Sequence, residues 1–175
     1  MSDFPSSHNA VRAQVLSAYE SEYRDLLEAW KLLETKSQGA IAISAIFLAA
    51  AFSFAKDLRA ETGLPFRVVL SLSILSLLFS VVMAVLALRV RSAARAPNGV
   101  TFAAVAQPML DSAEEGLALI QHKYLADLSE LWGKTNVALA KDCVAKACLL
   151  QWSQLGLLVA GATFVLYTII VIFTS

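Results

Sequence analysis

Hydrophobic positions along this chain follow two patterns: three long uncharged runs, and two amphipathic stretches of charged and apolar residues in helical alternation. The uncharged runs cover residues 37–55, 68–88 and 147–175. A helix rises about 1.5 Å per residue, so a hydrocarbon core about 30 Å thick takes about 20 apolar residues in sequence. The second and third runs reach that length, and the first, rich in alanine, is slightly short. The pattern predicts membrane-spanning helices at 37–55, 68–88 and 152–174, joined by an outer loop at 56–67 and an inner segment at 89–151. Three buried helices of a soluble domain are the alternative. A chain of 175 residues has too little other surface to cover three such helices on every face, and its last 29 residues carry no charge. The expected fold class is all-α: an integral membrane protein with three transmembrane helices and a cytoplasmic helical bundle.

The first amphipathic stretch, residues 1–36, carries Leu16, Tyr19, Tyr23, Leu26, Trp30 and Leu33 at alternating steps of three and four, a heptad seam on one helical face. The same steps continue through Ser37, Ala40, Ser44, Phe47 and Ala51, so one helix would carry large residues before the first span and small ones within it. Small residues permit close helix contact in lipid. The seam is a candidate assembly face; packing within the chain against the second amphipathic helix is the other reading, and the two are compatible. That second stretch opens on a predicted turn at Pro97, Asn98 and Gly99, and Gln107 with Pro108 predicts another break. Asp111 and Glu114 have capping-box spacing for a new helix. Leu117, Ile120, Tyr124, Leu128, Leu131 and Thr135 form its expected apolar face, opposite Glu115, Lys123, Asp127, Glu130 and Lys134. Paired apolar stripes would make a small helical bundle.

Composition agrees, with 58% hydrophobic and 16% charged residues. Basic residues set the orientation, because Lys and Arg stay on the cytoplasmic side during insertion. Arg12, Arg24, Lys31 and Lys36 precede the first span, and Arg89, Arg91, Arg95, Lys123, Lys134, Lys141 and Lys146 lie between the second and third; the outer loop has Lys56, Arg59 and Arg67, offset by Asp57 and Glu61. The amino terminus is therefore expected in the cytoplasm. Some 36 charged, periodic residues precede the first run, unlike a cleavable secretion signal.

Candidate chemistry is sparse. Net charge is zero, with no basic stripe interleaved with aromatics, which argues against nucleic acid. No acid, base or histidine interrupts the spans, against proton relays and coupled transport. His8 and His122 belong to no nucleophile–base pattern, and seven scattered glycines form no phosphate cradle. No catalytic residues, metal ligands or cofactor are expected, and Cys143 and Cys148 read as two small buried residues. Polarity within the spans is hydroxylic. Ser73, Ser76 and Ser80 share one face of the second, with Ser44 and Ser53 on the first and Thr163 and Thr168 on the third. This face is either interhelical packing or a weakly polar pore seam. Gly156 and Ala160 form a small-xxx-small pair. Arg89, Arg91 and Arg95 are candidate phosphate or lipid-headgroup contacts, or plain positive-inside anchors.

Residues 26–55 read LLEAWKLLETKSQGAIAISAIFLAAAFSFA, a heptad helix ending in Glu34, Lys36 and Ser37 and running straight into an alanine-rich span. This resembles the transmembrane effectors of Pycsar anti-phage defence and, in architecture, the SLATT-type membrane effectors. The likeness is best over about residues 20–90; Glu34 and Ser37 stand where the family usually has Asp and Ala. The resemblance implies a homo-oligomer in the bacterial inner membrane and a partner nucleotide cyclase acting through its product. The activating ligand would be a cyclic pyrimidine nucleotide, cyclic CMP or cyclic UMP, and the outcome loss of membrane integrity and abortive infection. The alternative is a structural or accessory membrane subunit that recruits a partner through its heptad helix; a holin would be atypical with such long amphipathic helices.

Overall fold

A computed structural model describes residues 4–57, 64–90, 96–97, 99–111 and 117–174. Four helices account for nearly all of them: α1 (Phe4–Asp57), α2 (Leu64–Arg89), α3 (Gly99–Asp111) and α4 (Leu117–Thr174). Among the described residues there is no strand. Three helices, α1, α2 and α4, contain stretches long and apolar enough to cross a membrane. The first amphipathic stretch and the first span are one unbroken helix, and so are the part of the second stretch from Leu117 onward and the third span.

One expected break does not occur. Pro108 removes a backbone donor and disfavours helix interiors, yet α3 continues through it to Asp111. A single missing bond near a helix end is tolerated where three more residues hold helical geometry. Asp111 is the last residue of α3, and α4 is described from Leu117; the expected capping box of Asp111 with Glu114 reaches outside the described residues. Residues 112–116, with Glu114 and Glu115, lie outside the described residues.

Contacts divide the chain into two compact units, both drawing on α1 and α4: residues 1–30 with 92–143, and residues 31–91 with 144–175. The second unit is a three-helix bundle in which α2 runs antiparallel to α1 and α4. Its interior repeats in heptads on every helix. On α2, Leu70, Ser73, Leu77, Ser80, Ala84 and Ala87 are buried at alternating steps of three and four; on α1, Ser37, Ala40, Ser44 and Ala51; on α4, Lys146, Leu150, Ser153, Ala160 and Tyr167. A 3.5-residue repeat keeps one face turned to its neighbours over many turns. Ala40, Ala84 and Leu150 pack together near one end, and Ala51, Leu70 and Tyr167 near the other, where Phe47 meets Phe164 edge to face at 6.2 Å.

In the first unit, α1 packs on α4. Tyr23 is buried edge-on against Trp132, with ring centroids 5.3 Å apart. Asn136 sends both amide N–H groups to α1, to the Tyr19 carbonyl at 3.0 Å and to Glu22 at 2.9 Å. Arg12 donates to the His122 carbonyl at 2.8 Å, and the Cys143 thiol to the Leu26 carbonyl at 3.7 Å. The buried stripe of α4 follows Leu128, Trp132, Asn136, Leu139 and Cys143, with Leu131 and Thr135 half-buried beside it. Two successive steps of four shift the stripe by one position, as a stutter does in a coiled coil. Leu131 instead lines an open groove with Thr101, Ala104 and Val105 of α3.

Candidate functional site

The second unit reverses the arrangement of a water-soluble protein. Large apolar side chains face outward: Ile46 is 70% exposed, Leu158 69% and Ile172 68%, with Phe52, Leu75 and Val82 also exposed. Hydroxyls face inward, with Ser37, Ser44, Ser73, Ser80 and Ser153 fully buried. Such an outer surface suits hydrocarbon, and small interior residues let backbones approach in lipid, where no hydrophobic force drives helices together.

Four of these five inward hydroxyls, all but that of Ser37, are hydrogen-bonded across the bundle. Ser44 Oγ, Ser80 Oγ and Ser153 Oγ form a chain from α1 through α2 to α4 with separations of 3.3 and 3.1 Å. Ser73 donates to Thr163 Oγ1 at 2.7 Å, and Thr163 donates to the Ala160 carbonyl at 2.9 Å. A hydroxyl has one proton, so this order satisfies both groups. Ser76 donates to the Gly156 carbonyl at 2.9 Å. That close approach depends on glycine: a Cβ on Gly156 would lie 3.1 Å from the Ser76 carbonyl oxygen and 3.1 Å from the Phe79 ring. The candidate polar seam of Ser73, Ser76 and Ser80 thus bonds within this chain, while Ser53 and Thr168 bond back to their own helices.

Above the hydroxyls lies a charge pair. Lys146 has no exposed side-chain surface, and its Nζ stands 3.0 Å from Glu34 Oε1, whose side chain is 41% exposed. Glu34 precedes the uncharged run of α1, and Lys146 immediately precedes that of α4. Ser37, one turn beyond Glu34, is fully buried and donates to the Leu33 carbonyl at 2.8 Å, whereas Lys36 points to the surface. Of the sequence motif, Glu34 and Ser37 face inward and Lys36 does not. A buried cation of this kind is retained only with a counter-charge in place, because its desolvation is otherwise uncompensated.

The other candidates are more dispersed. In the first unit Tyr19 and Tyr23 contact α4 directly, and Leu16 and Leu26 are half-buried; in the second, Leu33 packs beside Ala40 and Leu150. Trp30 is half-buried. Arg89 ends α2 at the surface; Arg91 and Arg95 lie outside the described residues. Of the two cysteines expected to be buried, Cys143 is, whereas Cys148, five positions on and so on another face of α4, is exposed. Glu130 and Lys134 form an exposed ion pair at 2.6 Å, one turn apart on α4. The hydrogen bond and charge of Lys134 hold the Glu130 carboxyl below its usual range.

Lys146, Ser153, Trp132 and Asn136 escape sequence reasoning. Lys146 reads as one of many inner-side cations, and its partner stands 112 positions away. The missed signal is periodic: Trp132, Leu139, Lys146, Ser153, Ala160 and Tyr167 recur every seven residues, and all are buried.

Neither curated proteins nor solved structures provide a match to this sequence. The profile of the PycTM family, described as the Pycsar effector protein domain, matches residues 18–174, which take in the heptad seam from Tyr19 onward and the Glu34–Lys146 pair. The chain is a member of the Pycsar effector family.

Proposed function

We propose that this protein is the membrane-acting arm of a Pycsar system. A cyclic pyrimidine nucleotide, cyclic CMP or cyclic UMP, made by a partner cyclase during phage infection, activates it to impair the inner membrane and abort the infection. The observation that carries this reading is the second unit, with its lipid-suited exterior around a hydroxyl-bonded interior, in a chain of the effector family. The first unit supplies the receiving end. Its surface is charged, with Lys123, Asp127, Glu130 and Lys134 exposed, and basic residues around the spans favour a cytoplasmic position for it.

Activation follows from ordinary linkage. A ligand that binds one arrangement of the first unit more tightly shifts the population toward it. The unbroken helices α1 and α4, which contribute to both units, are the means of passing that shift into the bilayer. Self-assembly would use the exposed faces of the spans. The protein acts without catalysis, as a ligand-responsive membrane component.

Purified protein in liposomes loaded with a self-quenched dye tests the reading. Dye release is expected to rise with cyclic CMP or cyclic UMP and to stay at background with cyclic AMP. Release indifferent to every nucleotide would overturn it.

A further inference from the structure

Two amides on the third span sit where lipid tails would otherwise surround them. Ser44, Ser80 and Ser153 form one layer across the second unit. Lys36 lies eight residues from Ser44 on α1, Arg89 nine from Ser80 on α2, and Lys146 seven from Ser153 on α4. At about 1.5 Å per residue, the three helices agree in placing that layer about 10 to 14 Å inside the charged border of the spans. The adjoining Gln154 therefore lies deep in a hydrocarbon core about 30 Å thick, with Gln151 a turn nearer the border, and both side chains are exposed. Residues 39–55 and 68–88 contain no Asn or Gln, so of the three spans only that of α4 carries amides at this depth. Outward hydroxyls such as Ser53 and Thr168 donate to carbonyls of their own helices. A carboxamide has two N–H donors and an oxygen acceptor, more than such a back-bond satisfies, and leaving it bare in lipid is costly.

A second, independent feature shares this face. From Gln151, steps of three and four reach Gln154, Leu158, Gly161, Val165 and Thr168, a heptad seam distinct from the buried stripe of Ser153, Ala160 and Tyr167. Among the described residues nothing lies within 4 Å of a Cβ placed on Gly161. Unlike Gly156, it serves no contact inside the bundle, and glycine weakens a helix relative to alanine. What it leaves is a notch in the outer face, where another helix can come close. We propose that this seam is where two copies of the chain meet. Copies inserted in one membrane share one orientation, so their α4 helices run parallel and their Gln154 side chains come to the same depth. A carboxamide is its own complement: across a twofold axis each N–H finds the other's oxygen. A second copy is thus a partner certain to carry an amide at that level. Gly161, one heptad further, lets the backbones close. The pairing gives the self-assembly of the proposed function a definite face, yet needs only a membrane-spanning α4 and no nucleotide.

Full-length protein with Cys143→Ser, Cys148→Ser and one new cysteine on α4, reconstituted in liposomes without nucleotide and oxidised with copper phenanthroline, tests the interface. Leu158→Cys, on the seam, is expected to give a disulfide-linked dimer. Val159→Cys, at the same depth on another exposed side of α4, is expected to link no faster than random collision allows. Adding Gln151→Leu and Gln154→Leu to Leu158→Cys should slow linking about tenfold, the scale of one or two interhelical hydrogen bonds. Gly161→Leu should slow it likewise while the melting temperature of the detergent-dispersed monomer stays at the parent value, since the new side chain starts into open space. Equal linking at the two cysteines, faster linking at Val159→Cys, or none at either would overturn the interface, as would undiminished linking without the amides. Should Gly161→Leu fail to fold, the glutamine replacements, which only make the outer face more apolar, still decide. Protein that links through Leu158→Cys but, before oxidation, releases no dye with cyclic CMP or cyclic UMP would leave the interface standing and refute the proposed function.

Discussion

At the scale of single residues, close contact in the second unit depends on which positions lack a side chain. Gly156 faces the Ser76 carbonyl and Phe79, whereas nothing lies within 4 Å of a Cβ placed on Gly161. Gly156→Leu is therefore expected to push α4 from α2 and lower the melting temperature in detergent sharply. Gly161→Ala should leave it unchanged or raise it, since alanine favours helix by about 1 kcal/mol over glycine. In the first unit Tyr23 contributes its ring to Trp132 and its hydroxyl to the Ala96 N–H at 3.1 Å. Tyr23→Phe should cost about 1 kcal/mol, the worth of one hydrogen bond, and Tyr23→Ala about 3 kcal/mol or more, both measured by denaturant unfolding. The Glu130–Lys134 pair is a contrast. Its lowered carboxyl pKa means that its stabilisation is present above the ordinary carboxylate range and fades as pH falls through the lowered value. Both side chains are in water, so Lys134→Ala should hardly move the melting temperature at neutral pH.

At the scale of elements, the repeat of seven organises both units. On α1 it was legible, because Tyr19, Tyr23 and Trp30 are large residues among polar ones and mark the face plainly. On α4 it was not. Within an apolar run, Ser153 and Ala160 give no contrast with their neighbours, and Lys146 breaks the expectation that a seam is apolar. The predicted apolar face of α4 is offset by one position from Trp132 onward: Trp132 and Asn136 are buried where Leu131 and Thr135 were expected, and Leu131 lines the open groove beside α3. The three uncharged runs were legible because charge in a span is too costly to be scattered there. The break expected at Pro108 was an overreading of one residue type in a helix that spans it. An element-scale consequence follows. One alanine inserted after Cys143 turns every later residue of α4 by about 100°, from 3.6 residues per turn. Ser153, Ala160 and Tyr167 would leave the interior. Cooperative melting of the second unit should be lost, with Val144→Ala at the same exposed position as a silent control; an unchanged melt would contradict the packing described.

At the scale of the whole molecule, the pairing of Glu34 with Lys146 and the crossing hydroxyls arise only when distant parts of the chain meet. The sequence held one half of the candidate site, the Glu34, Lys36 and Ser37 element, and folding supplied the other. The second unit that results has its buried hydroxyls hydrogen-bonded and its large apolar side chains outward, an arrangement suited to a bilayer. On the proposed function, activity comes from a change of arrangement and the signal is received by the charged first unit, for which the basic residues around the spans favour the cytoplasmic side. A planar bilayer holding the purified protein in one orientation tests this most directly, with current recorded as cyclic CMP or cyclic UMP is added to each side in turn. Current should rise when the nucleotide reaches the side bearing the first unit, and not from the opposite side. A steady current without nucleotide, or none after addition to either side, would contradict the account.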